Sequence, residues 1–181
     1  MVSPANARAL RLNLVDLLRQ PGTERTISLD ITHEELGCAL SAAQATILSP
    51  LVVNLRATSS TDSVEVVGSI VANWNGECRR CLRSVDGVSE MRFDERFVPA
   101  ASSLGIFDEA DITRVEADYI DLVPPVREIV MIDIPDAVLC AQECQGICGI
   151  CGTDRNAHRC DCIIEDTDDR WAALKDLRLE E

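Results

Sequence analysis

Eight of the nine cysteines in this chain stand in four close pairs, and no other feature constrains its fold as strongly. Two residues separate Cys78 from Cys81, three separate Cys140 from Cys144, two separate Cys148 from Cys151, and one separates Cys160 from Cys162. Thiolates paired in this way on tight turns suit a tetrahedral ion held at about 2.3 Å from each sulfur. Gly76 precedes the first pair, and Gly146, Gly149 and Gly152 surround the third, which lets the backbone turn sharply there. Four pairs make two sites. Cys148, Cys151, Cys160 and Cys162 would close a compact local knuckle. Cys78, Cys81, Cys140 and Cys144 would staple a hairpin end to a distant segment. The expected cofactor is Zn2+, one or two ions, with an iron–sulfur cluster as the rival for four thiolates. Cys38 is left over and reads as a small buried hydrophobe.

The setting favours metal over disulfides. Met1 to Ala9 lacks a basic head followed by an apolar run, so no export signal is expected, and thiols in the cytoplasm stay reduced. No apolar stretch approaches the roughly 18 residues of a membrane helix. From Cys140 to Cys162, six cysteines and three glycines crowd 23 residues with almost no large apolar side chains. Such a segment cannot build a core of its own and needs a staple.

The rest of the chain predicts an α+β fold. Ile47 to Ala57 and Val64 to Trp74 are long runs rich in β-branched residues, joined by the polar turn Thr58–Ser63. Asn75-Gly76 reads as a turn, and Val88 to Val98 alternates as a third strand. The expected sheet is an antiparallel β-meander or partial barrel with a packed helix. That helix is placed at 121–132, capped by Asp121, with Pro124 and Pro125 in its first turn and Leu122, Val126, Ile129 and Val130 on one face. Residues 1–45 read as an approach segment without a clean helical period, except that Thr26 to Ile31 alternates like a strand. Residues 101–118 read as a loop. The expected division is a β-rich core over 1–139, a Cys-rich zinc knuckle over 140–163, and a short helix over 164–181 carrying Trp171, Leu174 and Leu177.

Charge narrows the partners. Seventeen basic residues against thirty-one acidic ones give −14. Two filled four-thiolate sites would lower this to about −18. Such a chain repels a phosphate backbone except through a local basic patch, and its natural partner is basic. No nucleophile elbow, phosphate loop, zinc-protease motif or dinucleotide fingerprint is present, so no catalytic residues are expected. His158 lies among the cysteines, two residues before Cys160, and is a spare candidate ligand, although it reads more readily as part of a surface loop.

Three places in the chain carry a family resemblance. They are Cys78-Arg79-Arg80-Cys81-Leu82, then Asp121-Leu122 with Val126-Arg127-Glu128 running to Ile134-Pro135 and Leu139-Cys140, and then Gly146-Ile147-Cys148-Gly149-Ile150-Cys151-Gly152 with Cys160-Asp161-Cys162 and Asp169-Arg170-Trp171-Ala172-Ala173-Leu174. The chain resembles the YceD family, the large ribosomal RNA subunit accumulation proteins, across roughly residues 10 to 178. Two departures stand out: Pro124-Pro125, and Asn156 without the usual leucine before it. The resemblance implies a cytoplasmic, non-catalytic role in bacterial ribosome biogenesis, in accumulation or processing of large-subunit ribosomal RNA, with the cysteines as metal ligands. The acidic balance then favours contact with a basic ribosomal protein. The alternatives are RNA binding through Arg79, Arg80 and Arg83, and a thiol redox or zinc-sensing protein.

Overall fold

Alternation of apolar and polar residues builds one covered and one solvated face of a sheet. The computed structural model describes residues 4–38, 45–100 and 112–163. Its central strands are β4 (Leu51–Ser59), β5 (Val64–Glu77) and β6 (Ser84–Pro99), consecutive in sequence and antiparallel in space. β2 (Glu24–Ile31) adds to the outer side of β4, and β3 (Thr46–Ile47) pairs with the far end of β5 at Trp74 and Asn75. β7 (Thr113–Val115) pairs parallel with the end of β6, so the sheet is mixed.

The buried face is aliphatic. Leu29, Val53, Ile70 and Met91 lie side by side across four strands, and Ile27, Leu55, Gly68 and Phe93 form the next row. The helix α4 (Val123–Asp133) packs against this face through Val126 and Val130, with Leu122 before it and Ile134 after it, all at most 1% exposed. Asp121 does not occupy the N-cap position, which belongs to Leu122. It still caps, because its Oδ1 accepts from the Val123 N–H at 3.0 Å. Pro124 and Pro125 sit in the first turn, where the missing N–H groups have no intrahelical partner to lose.

Residues before β2 do more than approach. α1 (Pro4–Ala9), β1 (Arg11–Asn13) and α2 (Leu14–Leu18) bury Leu10, Leu12, Leu14 and Leu17 in the same core. β1 pairs antiparallel with β8 (Tyr119–Asp121), which sets Leu12 opposite Ile120. The Arg11 guanidinium lies 4.6 Å from the Tyr119 ring centroid and 3.8 Å from Asp121. α3 (His33–Leu36) has a complete capping box: Thr32 and Glu35 satisfy each other's backbone N–H, and Gly37 ends the turn in the left-handed region.

Several expectations are corrected. Asn75-Gly76 is strand, and β5 runs on to Glu77. Asn75 faces Asp86 and donates to Ser84 Oγ at 2.7 Å and to Asp86 Oδ1 at 2.8 Å. Gly76 serves close approach instead of a turn, since a Cβ there would lie 2.8 Å from Val138 Cγ2. The stretch 101–118 is not all loop: Thr113–Val115 is a strand, while 101–111 lie outside the described residues. The C-terminal helix expected over 164–181 also lies outside the described residues.

Gly68 offers a direct test of strand packing. A Cβ at this position would sit 2.1 Å from the Asn54 carbonyl oxygen, on a backbone that cannot move aside. Gly68→Ala is expected to cost about 1–3 kcal/mol of stability by overpacking, read as a lowered urea midpoint. Gly149→Ala, where nothing lies within 4 Å, should change the midpoint by less than about 0.5 kcal/mol.

Candidate metal centres

The β5–β6 hairpin reaches past the helix and ends in the turn Cys78–Arg83. The Cys78 N–H donates to Arg83 O and the Leu82 N–H to Cys78 O, both at 2.8 Å. Leu82 takes a left-handed φ of 60°, which tightens the turn. The chain leaving α4 returns beside it, where Val138 O accepts from the Arg79 N–H at 2.9 Å. This contact brings Cys140 and Cys144 to Cys78 and Cys81. The sulfurs of Cys78 and Cys144 are 3.8 Å apart, and those of Cys81 and Cys140 are 3.6 Å apart. A tetrahedron with bonds of about 2.3 Å has sulfur–sulfur edges of about 3.8 Å, whereas a disulfide needs about 2.05 Å. All nine cysteines are free thiols.

The second set forms on the segment that follows. Gly146 turns at φ +72°, Ile147 bridges to Asp154, and Gly152 turns at φ +72°. The Cys148 N–H donates to Thr153 O and the Gly152 N–H to Cys148 O. Cys148, Cys151, Cys160 and Cys162 then gather. Within each set of four, every sulfur lies within 4.8 Å of the others.

Electrostatics explains why these clusters suit a cation. The backbone N–H of Cys140, then those of Cys81 and Arg80, pull the Cys78 thiol down to about 6. Its neighbour Cys140 is pushed up to about 12, first by Cys144 and then by Cys81. The second set repeats this division. Thr153 draws Cys151 down to about 6, while Cys151 drives Cys162 up to about 12. Thiolates this close cannot all ionise without a compensating charge. A divalent ion supplies that charge and replaces the retained protons. Four sulfurs with no histidine or carboxylate among them suit zinc or iron–sulfur chemistry, and each set could close a four-ligand shell.

The three arginines of the expected RNA patch are used unevenly. Arg80 Nη1 donates to Gln142 O at 3.1 Å and Cys144 O at 3.0 Å, so it ties the hairpin tip to the returning chain. Arg83 pairs with Asp154 at 3.2 Å. Arg79 is exposed, and its side chain has no partner among the described residues. His158 is exposed and belongs to neither set, and Cys38 is buried beside α3, away from both.

Spacing did not flag Asn156 or Asp154. Asn156 Nδ2 approaches Cys144 Sγ at 3.4 Å, and its Oδ1 accepts from the Gln145 N–H at 2.8 Å. The backbone N–H of Asn156, then its side chain and more weakly Arg83, hold the Asp154 carboxyl below its ordinary range. The one sequence cue was the departure at Asn156, which stands without the leucine that the family resemblance leads one to expect before it.

Fold and site together define a class: a mixed β-sheet with a helix on one face, whose C-terminal segment is gathered by two four-cysteine clusters. The chain belongs to the YceD family, described as the large ribosomal RNA subunit accumulation protein YceD, whose sequence profile matches residues 66–178. It is similar to an uncharacterized protein of Mycobacterium tuberculosis, 30% identical over 177 residues, covering 94% of this chain and 82% of that one. A Mycobacterium leprae protein is 32% identical over 133 residues, covering 71% and 59% respectively. A chloroplastic large ribosomal RNA subunit accumulation protein YCED homolog 1 of Arabidopsis thaliana is 33% identical over 63 residues, covering 35% and 20%. No solved structure matches the chain. Among the described residues, no helix is long and apolar enough to cross a membrane.

If an ion fills each set, a thiol reagent should find the eight clustered sulfurs shielded and should reach them once a strong chelator is added. The same chelation should open residues 140–163 to protease while the sheet stays resistant, as read by mass spectrometry of the fragments. Eight fully reactive thiols before chelation would contradict ion binding.

Proposed function

We propose that this chain is a non-catalytic zinc protein of bacterial ribosome biogenesis. It promotes accumulation or processing of large-subunit ribosomal RNA through contact with a basic ribosomal protein. Family membership supports the role in ribosome biogenesis, and it is the single observation that carries the reading. Zinc is supported by sulfur–sulfur separations of 3.6 and 3.8 Å, close to the edge of a tetrahedral thiolate shell. A structural ion, as opposed to a catalytic one, is supported by the lack of any histidine or carboxylate in either set. A protein partner is supported by the net charge of −14, and by Arg80 and Arg83 being engaged within the fold. The cytoplasm, where ribosomes assemble, is the proposed compartment.

The test is capture of the tagged chain from growing bacterial cells. The expected product is one basic ribosomal protein that survives ribonuclease treatment, with two zinc ions per chain by elemental analysis of the same sample. Cells lacking the chain should hold less large-subunit than small-subunit ribosomal RNA. Capture of precursor RNA alone, lost to ribonuclease and falling steeply with salt, would replace protein contact by RNA binding.

A further inference from the structure

The loop that closes the second cysteine set also reaches into the first. Asn156 lies between Cys151 and Cys160, so its position depends on how those two cysteines are held. Its side chain, however, touches the first set. The Gln145 N–H can only donate, so the group facing it must be the Asn156 carbonyl oxygen, at 2.8 Å. That fixes the amide orientation. The Nδ2 group therefore points at two acceptors, Cys144 Sγ at 3.4 Å and Asp154 Oδ1 at 2.7 Å. Asp154 Oδ1 also accepts the Asn156 backbone N–H at 2.9 Å, and its Oδ2 reaches Arg83 beside the first pair. Two backbone bonds lie alongside, from Arg155 N to Gly146 O and from Ile147 N to Arg80 O, each at 2.9 Å. The two clusters are thus joined by a hydrogen-bonded connection, in which Asn156, from the loop of the second set, bonds to a sulfur of the first.

We propose that Asn156 is a positioning residue that makes ion binding at the two cysteine sets interdependent. This rests on the metal reading above. An ion in the second set fixes the loop from Cys151 to Cys160 and presents the amide N–H to Cys144. That N–H stabilises the Cys144 thiolate as a ligand of the first ion. Coupling between two binding events is reciprocal, so the first ion must tighten the second by the same factor.

The full chain is loaded with cobalt(II), whose thiolate charge-transfer absorption reports each set, and affinities are read by competition with a chelator. Cys148→Ser with Cys151→Ser leaves the first set alone, and Cys78→Ser with Cys81→Ser leaves the second alone. In the parent chain, each set should hold its ion about 10- to 100-fold more tightly than when the other set is deleted, by the same factor in both directions. Asn156→Ala should bring that factor near one, yet change little where the second set is already deleted. Asn156→Asp, which turns a carboxylate oxygen on the sulfur, should weaken the first set at least as much. Asn156 is exposed and its side-chain partners belong to the cysteine loops, so the sheet should stay folded, as checked by circular dichroism on the same samples. A coupling factor that Asn156→Ala leaves unchanged, or a factor of one in the parent, overturns the inference. A parent chain that binds no cobalt overturns the metal reading itself, whereas two independent ions overturn only the coupling.

Discussion

Between residues 140 and 163, the only buried apolar side chains are the cysteines Cys144 and Cys148. Ile147, Ile150 and Ile163 point outward, at 39%, 63% and 84% exposure. The hydrophobic effect therefore has almost nothing to act on in this segment. An ion held by the convergent sulfurs would take its place, and hydrogen bonds surround them. Arg80 reaches back to two carbonyls, Gly146 lets the chain pass within 2.8 Å of the Arg80 carbonyl oxygen at the position a Cβ would fill, and Asn156 turns its amide toward Cys144.

The sheet works as the arm that carries these clusters. β5 and β6 pair over their whole shared length, from Val64 opposite Phe97 to Glu77 opposite Ser84. At the Phe97 end the hairpin is anchored in the core by Val64, Val66 and Phe93. At the other end it leaves the core and meets the chain returning from α4. Gly76 and Val138 make that meeting close enough for the first cysteine pair to face the second. Trp74 covers Gly87 on the neighbouring strand and bonds through its indole N–H to Ser89 Oγ at 3.2 Å, which stiffens the arm just before its tip.

The sequence made the long strands and the cysteine partition legible, because both have strong periodic or spacing cues. Val64–Trp74, rich in β-branched residues, lies within β5, whereas the run from Ile47 to Ala57 divides at Leu48–Pro50 into β3 and β4; the grouping by spacing matches the two sets of four that the structure brings together. Short elements carry too few residues for a period to show. Leu10 to Leu17 run from the end of α1 through two elements of three and five residues, so their leucines looked unpatterned although four of them are core. β7 depends on a parallel pairing with β6 that no local residue announces. Asn75-Gly76 misled because its chemistry fits a turn, while its neighbour in space, Val138, is remote in sequence. Thr32 and Glu35 were a readable capping box that the short helix around them hid.

The two clusters differ in how much chain they tie together. Cys81 and Cys140 are 59 residues apart, whereas the second set spans only the stretch from Cys148 to Cys162. An ion in the first set would cross-link the unfolded polymer much as a long-range disulfide does, with a loop-closure contribution of about 4 kcal/mol in the chain-entropy picture. It would also impose an order during synthesis. The β5–β6 hairpin leaves the ribosome with two of its sulfurs waiting, and it cannot complete their shell until α4 and Cys144 have followed.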